Sequence, residues 1–140
     1  MIHTHPSLTA TTTLLDAAGL PSSDLTERHL EHFLFSGPRH SPTGVIGLEM
    51  YGHVALLRSL AVDPVARKTG VGSRLVQEAE ALAQANGIQA LYLLTTTARH
   101  FFEKRGYSAI SRSDCPEAIR STAEFASLCP ASSALLMKTL

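Results

Sequence analysis

The chain has 140 residues, with 12 Lys plus Arg, 12 Asp plus Glu and seven His, so its formal charge is zero with histidine neutral. Hydrophobic residues make up 44% and charged residues 17%, which excludes disorder and supplies no basic excess for a nucleic-acid binder. No apolar run approaches the ~20 residues that span a bilayer, and no charged-then-apolar leader stands at Met1. The expectation is one cytoplasmic domain over residues 1–140, with no membrane partner. The two cysteines, Cys115 and Cys129, are too few for a disulfide framework.

Residues 1–13, MIHTHPSLTATTT, carry little apolar content and are expected to be flexible. A first helical segment runs from Leu14 to Ala18 and stops at Gly19. A second opens at Pro21-Ser22-Ser23, with Leu25, His29, Leu30, Phe33 and Leu34 at helical spacing. After the turn-rich stretch 36–43, GVIGLEMY (44–51) and VALLRSLAV (54–62) flank Gly52-His53 and predict a β-hairpin with a type II′ turn. Asp63-Pro64 begins a loop carrying Arg67, Lys68, Gly70 and Gly72. The helix after it has Val71, Leu75, Val76, Ala79, Leu82 and Ala83 on one stripe and ends at Asn86-Gly87. ALYLLTT (90–96) is a continuous apolar strand, of the kind buried on both faces. A short helix over 98–105 stops at Gly106. A strand over 107–111, a helix opened by Pro116, a short helix around 122–128 and a last strand over 133–140 follow. The fold class is α/β or α+β with a central mixed sheet.

The loop before the long helix carries the clearest chemistry. Gly70 and Gly72 remove side chains where the backbone enters the helix, so free first-turn N–H groups point outward with the positive end of the helix dipole behind them. Arg67 and Lys68 add two full charges, and together these groups suit a diphosphate. Neither G-x-x-x-x-G-K-[ST] nor the three-glycine dinucleotide fingerprint is present. A plain tight turn with solvated basic residues is the other reading of the same stretch.

In context, R-K-T-G-V-G (67–72) between LRSLAVDP and an amphipathic helix resembles the acyl-CoA loop of the GNAT acetyltransferases. TTTARHFFEKRGY (95–107) resembles that family's late strand, helix and Gly-aromatic ending. The combination of GVIGLEMYGHVALLRSLAV, LYLLTTTARHFFEKRGY and TAEFASLCPASSALLMKTL further resembles the small acetyltransferases associated with arsenic-resistance operons. Relatives in that group acetylate amino-acid antibiotics bearing a phosphinate or arsinate. The resemblance implies a mixed, mostly antiparallel sheet in which two parallel central strands splay into a V. It implies acetyl-CoA as donor, a small-molecule amine as acceptor and no metal, with a homodimer left open. Leu60, Ala61 and Val62 would then meet the pantetheine arm by strand addition, and a backbone N–H near Val62 would stabilise the oxyanion. Arg67, Lys68, Thr69, Gly70, Val71, Gly72 and Ser73 would hold the diphosphate, with Phe101 and Phe102 also against the cofactor.

Two positions depart from the family pattern. Phe102 stands where many relatives have a tyrosine that can protonate the leaving thiolate, leaving water, Tyr51 or Tyr107 as donors. Arg58-Ser59 stands where many have an acidic residue. Strand alternation puts Glu49, Tyr51, Leu56 and Arg58 on one hairpin face, with Glu49 diagonal to Arg58. Glu49 is thus either the catalytic base, with Arg58 receiving a substrate anion, or the structural partner of a buried arginine. Thr96, at a strand end near the splay, and Phe33, from the second helix, are candidate acceptor-pocket residues alongside Tyr51. The histidines lack a third ligand at metal spacing. Cys115 and Cys129 read as reduced thiols, with a joint arsenical site as the sharper alternative. A small-molecule N-acetyltransferase is the leading function. An acetyltransferase of protein amines and an acyl-CoA sensor without turnover are the alternatives.

Overall fold

The computed structural model describes residues 1–140. One mixed sheet of seven strands has the order β1-β2-β3-β4-β5-β7-β6. The strands are β1 (Ile2–Thr4), β2 (Phe33–Ser36), β3 (Gly44–Tyr51), β4 (Val54–Val62), β5 (Ala90–Thr95), β6 (Ser108–Ala109) and β7 (Ala134–Thr139). The helices are α1 (Leu8–Ala17), α2 (Glu27–Leu30), α3 (Val71–Ala85), α4 (Arg99–Glu103) and α5 (Glu117–Arg120). Every strand pair is antiparallel except β4–β5, whose crossover carries α3.

The N-terminal expectation needs correction. Residues 1–13 are not a loose tail: Ile2 to Thr4 pair with Leu34 to Ser36, and α1 starts at Leu8 behind the Ser7 side chain, which accepts from the Ala10 N–H. Thr11, Leu14 and Leu15, three and four apart, form its buried face. The expected second helix is also shorter, only Glu27–Leu30, and Phe33 to Ser36 form β2 instead. Three consecutive apolar residues buried on both sides belong to an interior strand, and a helical spacing read through them is ambiguous.

The hairpin matches the expected register, with Tyr51 opposite Val54 and Glu49 opposite Leu56. Gly52 has φ +65° and His53 no positive φ, as in a type II′ turn. Nearer the other end, Val45 pairs with Ala61 but Gly47 with Arg58, so β4 carries one extra residue and Ser59 adopts φ +60°. That bulge reverses the alternation. Ala55, Leu57 and Leu60 pack toward α3, whereas Leu56 joins Tyr92, Cys115 and Ile119, and Ala61 joins Leu14, Leu15 and Phe35.

On the α3 face, Leu75, Val76, Ala79 and Ala83 seal the sheet against Leu34, Ile46, Leu48, Leu91 and Leu93. The helix ends as expected: Gly87 at φ +80° donates to Gln84 O and Ile88 to Ala83 O. No helix is long and apolar enough to cross a membrane.

Candidate functional site

The parallel pairing of β4 and β5 covers only Val54–Leu56 against Ala90–Tyr92. Beyond it the strands diverge, and a cavity of about 630 Å³ opens between Leu57–Val62 and Leu93–Ala98. The divergence leaves the β4 edge without a strand partner on that side, a polar backbone edge facing the opening. Residues 18–21 and Ser23 after α1, Phe102 of α4, and Glu124, Leu128, Cys129 and Ser133 from the segment before β7 complete the walls.

One end of the opening leads to the start of α3. Its first intrahelical bond runs from Arg74 N–H to Gly70 O at 3.1 Å, which leaves the N–H groups of Val71, Gly72 and Ser73 ahead of it. Lys68 (φ +66°) and Gly70 (φ +85°) turn the chain into the helix. A Cβ on Gly72 would sit 3.5 Å from Phe101 Cζ and 3.6 Å from Val62 Cγ2, so this glycine closes the contact between the loop, β4 and α4. Arg67 and Lys68 are exposed and form no ion pair, and Arg67 also lines the cavity. Arg105 donates to Phe101 O at 2.7 Å and to the Ser73 hydroxyl, adding a third cation at this helix end.

The other end is built around Arg58, whose side chain is fully buried. Its Nη1 and Nη2 clasp Asp24 at 2.6 and 2.9 Å, Nη1 also donates to Glu49 at 2.7 Å, and Nε donates to Ser59 Oγ at 2.9 Å. Glu124 stands 3.3 Å from Nη2 as an ion pair. Three carboxylates thus share one cation. Burial alone would weaken the charged forms of both Asp24 and Arg58. Their mutual hydrogen bonds and charge outweigh it, holding the Asp24 carboxyl low and, with Glu124 and Glu49, pushing the Arg58 guanidinium up. Glu124 fares differently: burial, then repulsion from Asp24 and Glu49, outweighs attraction to Arg58 and raises its carboxyl to about 7. The Cys129 thiol, 3.8 Å from Glu124 Oε2, is raised by burial and by that carboxylate to about 11.

A family model described as an acetyltransferase (GNAT) domain matches residues 31–109. The chain belongs to the GNAT acetyltransferase family. An amino-acid acetyltransferase of Ralstonia nicotianae is 41% identical over 64 residues, which are 46% of this chain and 14% of that protein. The chain therefore spans only about one seventh of that curated relative. In N-acetylglutamate synthase from Neisseria gonorrhoeae, solved with coenzyme A and N-acetyl-glutamate, the matching fold has a TM-score of 0.82 at 24% identity. It takes in 100% of this chain and 35% of that one. Rv2747 from Mycobacterium tuberculosis, solved with CoA, gives a TM-score of 0.82 at 18% identity over 100% of this chain and 99% of that one. The expected GNAT sheet and splay and membership of the acetyltransferase family are met.

Within this GNAT frame the expected residues divide. Leu60, Ala61, Val62, Arg67, Thr96, Phe102 and Arg58 line the cavity, and Gly70–Ser73 stand at the helix end beside it. Thr69 is tied to the Ala66 carbonyl. Phe33 requires correction: on β2 it is fully buried against Gly47, where its ring occupies the space a Cβ would need, and it does not line this cavity. Glu49 and Tyr51 lie behind Arg58 instead of on the cavity surface. Tyr51 donates to Glu49 Oε1 at 2.5 Å and Arg58 occupies Oε2, so both carboxylate oxygens are engaged. Tyr107 hydrogen-bonds Glu80 of α3 at 2.8 Å, away from the cavity. Cys115 is buried among Leu56, Tyr92 and Ile119, whereas Cys129 lines the cavity, so the two thiols sit in different environments. Asp24, His29 and Glu49 bring ligating atoms within 4.8 Å of one another, but both carboxylates already accept from Arg58.

Sequence reasoning missed Asp24, Glu124 and Ser133. The only signal was indirect: a fully buried arginine in mid-strand demands anionic partners, and adjacent sequence supplies none beyond Glu49. Ser133 is the sharper case. Its hydroxyl is buried at the cavity edge without a hydrogen-bond partner.

Proposed function

We propose that this protein uses acetyl-CoA to acetylate the amino group of a compact, amino-acid-like molecule. The carrying observation is the open V between β4 and β5, which joins an unpartnered strand edge and a cation-flanked helix start at one end to a carboxylate cluster at the other. The loop from Arg67 to Ser73 holds the diphosphate with the N–H groups of Val71, Gly72 and Ser73, aided by Arg67 and Lys68. Leu60 to Val62 offer backbone groups to the pantetheine arm as an added strand would, with Phe101 and Phe102 closing the side. Bound acetyl-CoA supplies an activated acyl carbon. The N–H groups near Val62, re-aimed by the Ser59 bulge, stabilise the oxyanion formed when the amine attacks.

With Glu124 ionised, the three carboxylates and Arg58 sum to two net negative charges, a setting that attracts an ammonium group. Glu49 reads as the clamp that orients Arg58, with Tyr51 behind it. Because Asp24 already takes the guanidinium fork, an acceptor anion engages Arg58 only by displacing a bidentate partner. The anionic group of the acceptor is left to the cavity hydroxyls of Thr96 and Ser133. Acceptors with a carboxylate, phosphinate or arsinate are therefore the class to test. The amino-acid acetyltransferase relative supports the amino-acid part, and the resemblance to arsenic-operon enzymes motivates the arsinate.

The test measures acetyl-CoA binding by calorimetry and thiol release on a panel of amino acids, their phosphinate and arsinate analogues, simple amines and polyamines. Turnover greatest on an anionic amino acid supports the proposal, and preference for a polyamine overturns the substrate class. Tight acetyl-CoA binding with no thiol release from any amine would make the protein an acyl-CoA sensor, the reading that Phe102 in place of a phenol favours.

A further inference from the structure

Among the three carboxylates around Arg58, one differs in kind. Asp24 is held by two short hydrogen bonds, and Glu49 has an engaged donor on each oxygen. Glu124 has only the 3.3 Å ion pair to Nη2 and a weak thiol donor, Cys129, at 3.8 Å. It is 4% exposed, yet it lines the cavity, which Glu49 does not. Its backbone is unusual too. Cys129 N–H donates to Glu124 O at 2.9 Å, a five-residue step that makes residues 124–128 a single π-helical turn. Such turns re-aim side chains and recur at functional sites.

We infer that Glu124 is the catalytic base, the carboxylate that takes the proton from the acceptor's ammonium group at the cavity end of the Arg58 cluster. The inference rests on the proposed acetyl transfer. The ammonium gives one proton to the Glu124 carboxylate, and the freed nitrogen lone pair attacks the thioester carbon. The C–N bond forms, the C–S bond breaks, and the second nitrogen proton ends on the departing thiolate. Glu124 then returns its proton to water. Arg58 holds the Asp24 carboxyl low, whereas burial and the nearby charges of Asp24 and Glu49 raise that of Glu124. Arg58 from β4, Asp24 from the loop before α2, Glu49 from β3 and Cys129 at the end of the turn are the charged or titratable groups facing it. Arg58 opposes the effect, and the two acids with burial exceed it, which places the titration near 7.

The test is the pH dependence of acetyl transfer in wild type, Glu124→Gln and Glu124→Asp, with acetyl-CoA affinity measured alongside. Wild-type kcat/KM should fall tenfold per pH step below about 7. Glu124→Gln should lose roughly 10²–10⁴-fold in kcat with acetyl-CoA affinity unchanged and should lose that limb. Glu124→Asp should retain the limb with partial activity. A Gln variant keeping both the rate and the limb overturns the inference while leaving the acetyltransferase reading intact. If the variant does not fold, carboxyl-carbon NMR of the wild type decides. One glutamate titrating near pH 7 sustains the assignment, and all carboxyls titrating below about 5.5 remove it. Wild type that turns over no amine ends the underlying reading, and the base with it.

Discussion

Arg58 and Asp24, 34 positions apart, form a two-armed ion pair with Nη1–Oδ2 at 2.6 Å and Nη2–Oδ1 at 2.9 Å. The pair ties the loop after α1 to the central strand β4 at the mouth of the cavity. Burying a guanidinium is costly without such partners, and removing one partner exposes the cost.

Asp24→Asn should therefore destabilise the protein by about 1–3 kcal/mol, less than an isolated buried pair would lose because Glu49 and Glu124 remain on Arg58. Asp24 also repels the Glu124 charge. Its neutralisation should let Glu124 ionise more easily and move the acid limb of the rate profile to lower pH. Chemical denaturation and a pH–rate series check the two effects separately. A limb that stays in place would uncouple these acids.

Gly72→Asp separates binding from folding. Gly72 is the second residue of α3, its Cβ position has ordinary room, and an acid in a first turn interacts favourably with the helix dipole. Stability should hold or rise by up to about 1 kcal/mol, while acetyl-CoA affinity should fall beyond detection because a carboxylate then stands where the diphosphate charge is held. Calorimetric binding equal to wild type would place the diphosphate elsewhere.

Stability itself should report Glu124. Its carboxyl is raised to about 7 in the folded protein from an ordinary value of 4.5. The folded state therefore binds this proton more tightly, and the resulting stability is full below pH 4.5 and lost as pH rises through 7. Glu124→Gln escapes that loss. Relative to wild type its melting temperature should be several degrees higher at pH 8 than at pH 5, corresponding to up to ~3 kcal/mol. A difference in melting temperature that is flat across this range would mean that Glu124 is ionised throughout.

Phe102→Leu should change packing without removing an acid. Phe102 is buried edge-on to Phe101 at 5.1 Å and to Tyr107 at 5.4 Å, so a loss of about 1–3 kcal/mol is expected. The alkaline side of the rate profile should be unchanged. Loss of an alkaline limb would show that a side-chain proton donor depends on this position, against a thiolate that takes its proton from the acceptor nitrogen.

The hairpin was readable to the residue from its turn as far as the Gly47–Arg58 pair, because the β-rich runs flank Gly52-His53 directly, whereas the Ser59 bulge beyond it was not. The start of α3 was readable from Gly70 and Gly72, where backbone requirements mark the sequence directly. The Glu49–Arg58 contact followed from strand geometry alone. What could not be read was which distant segments reach Arg58. Asp24 sits in a polar loop whose neighbours resemble a helix start. Glu124 sits in a stretch whose helical spacing hides a five-residue turn. The terminal strand Ile2–Thr4 was hidden for a related reason: its pairing with β2 needs few apolar side chains, since backbone hydrogen bonds supply the contact.

The Arg58 cluster draws on three stretches of chain, and two of its acids, Asp24 and Glu124, lie outside the span 31–109 common to the family. On the proposed reading, the diphosphate loop 67–73 lies within that span, while two of the three acids at the amine end come from sequence flanking it. Biosynthesis imposes an order as well: β4 emerges with Arg58 long before Glu124 exists, so the growing chain keeps this cation solvated or paired with the two earlier acids until the last quarter arrives.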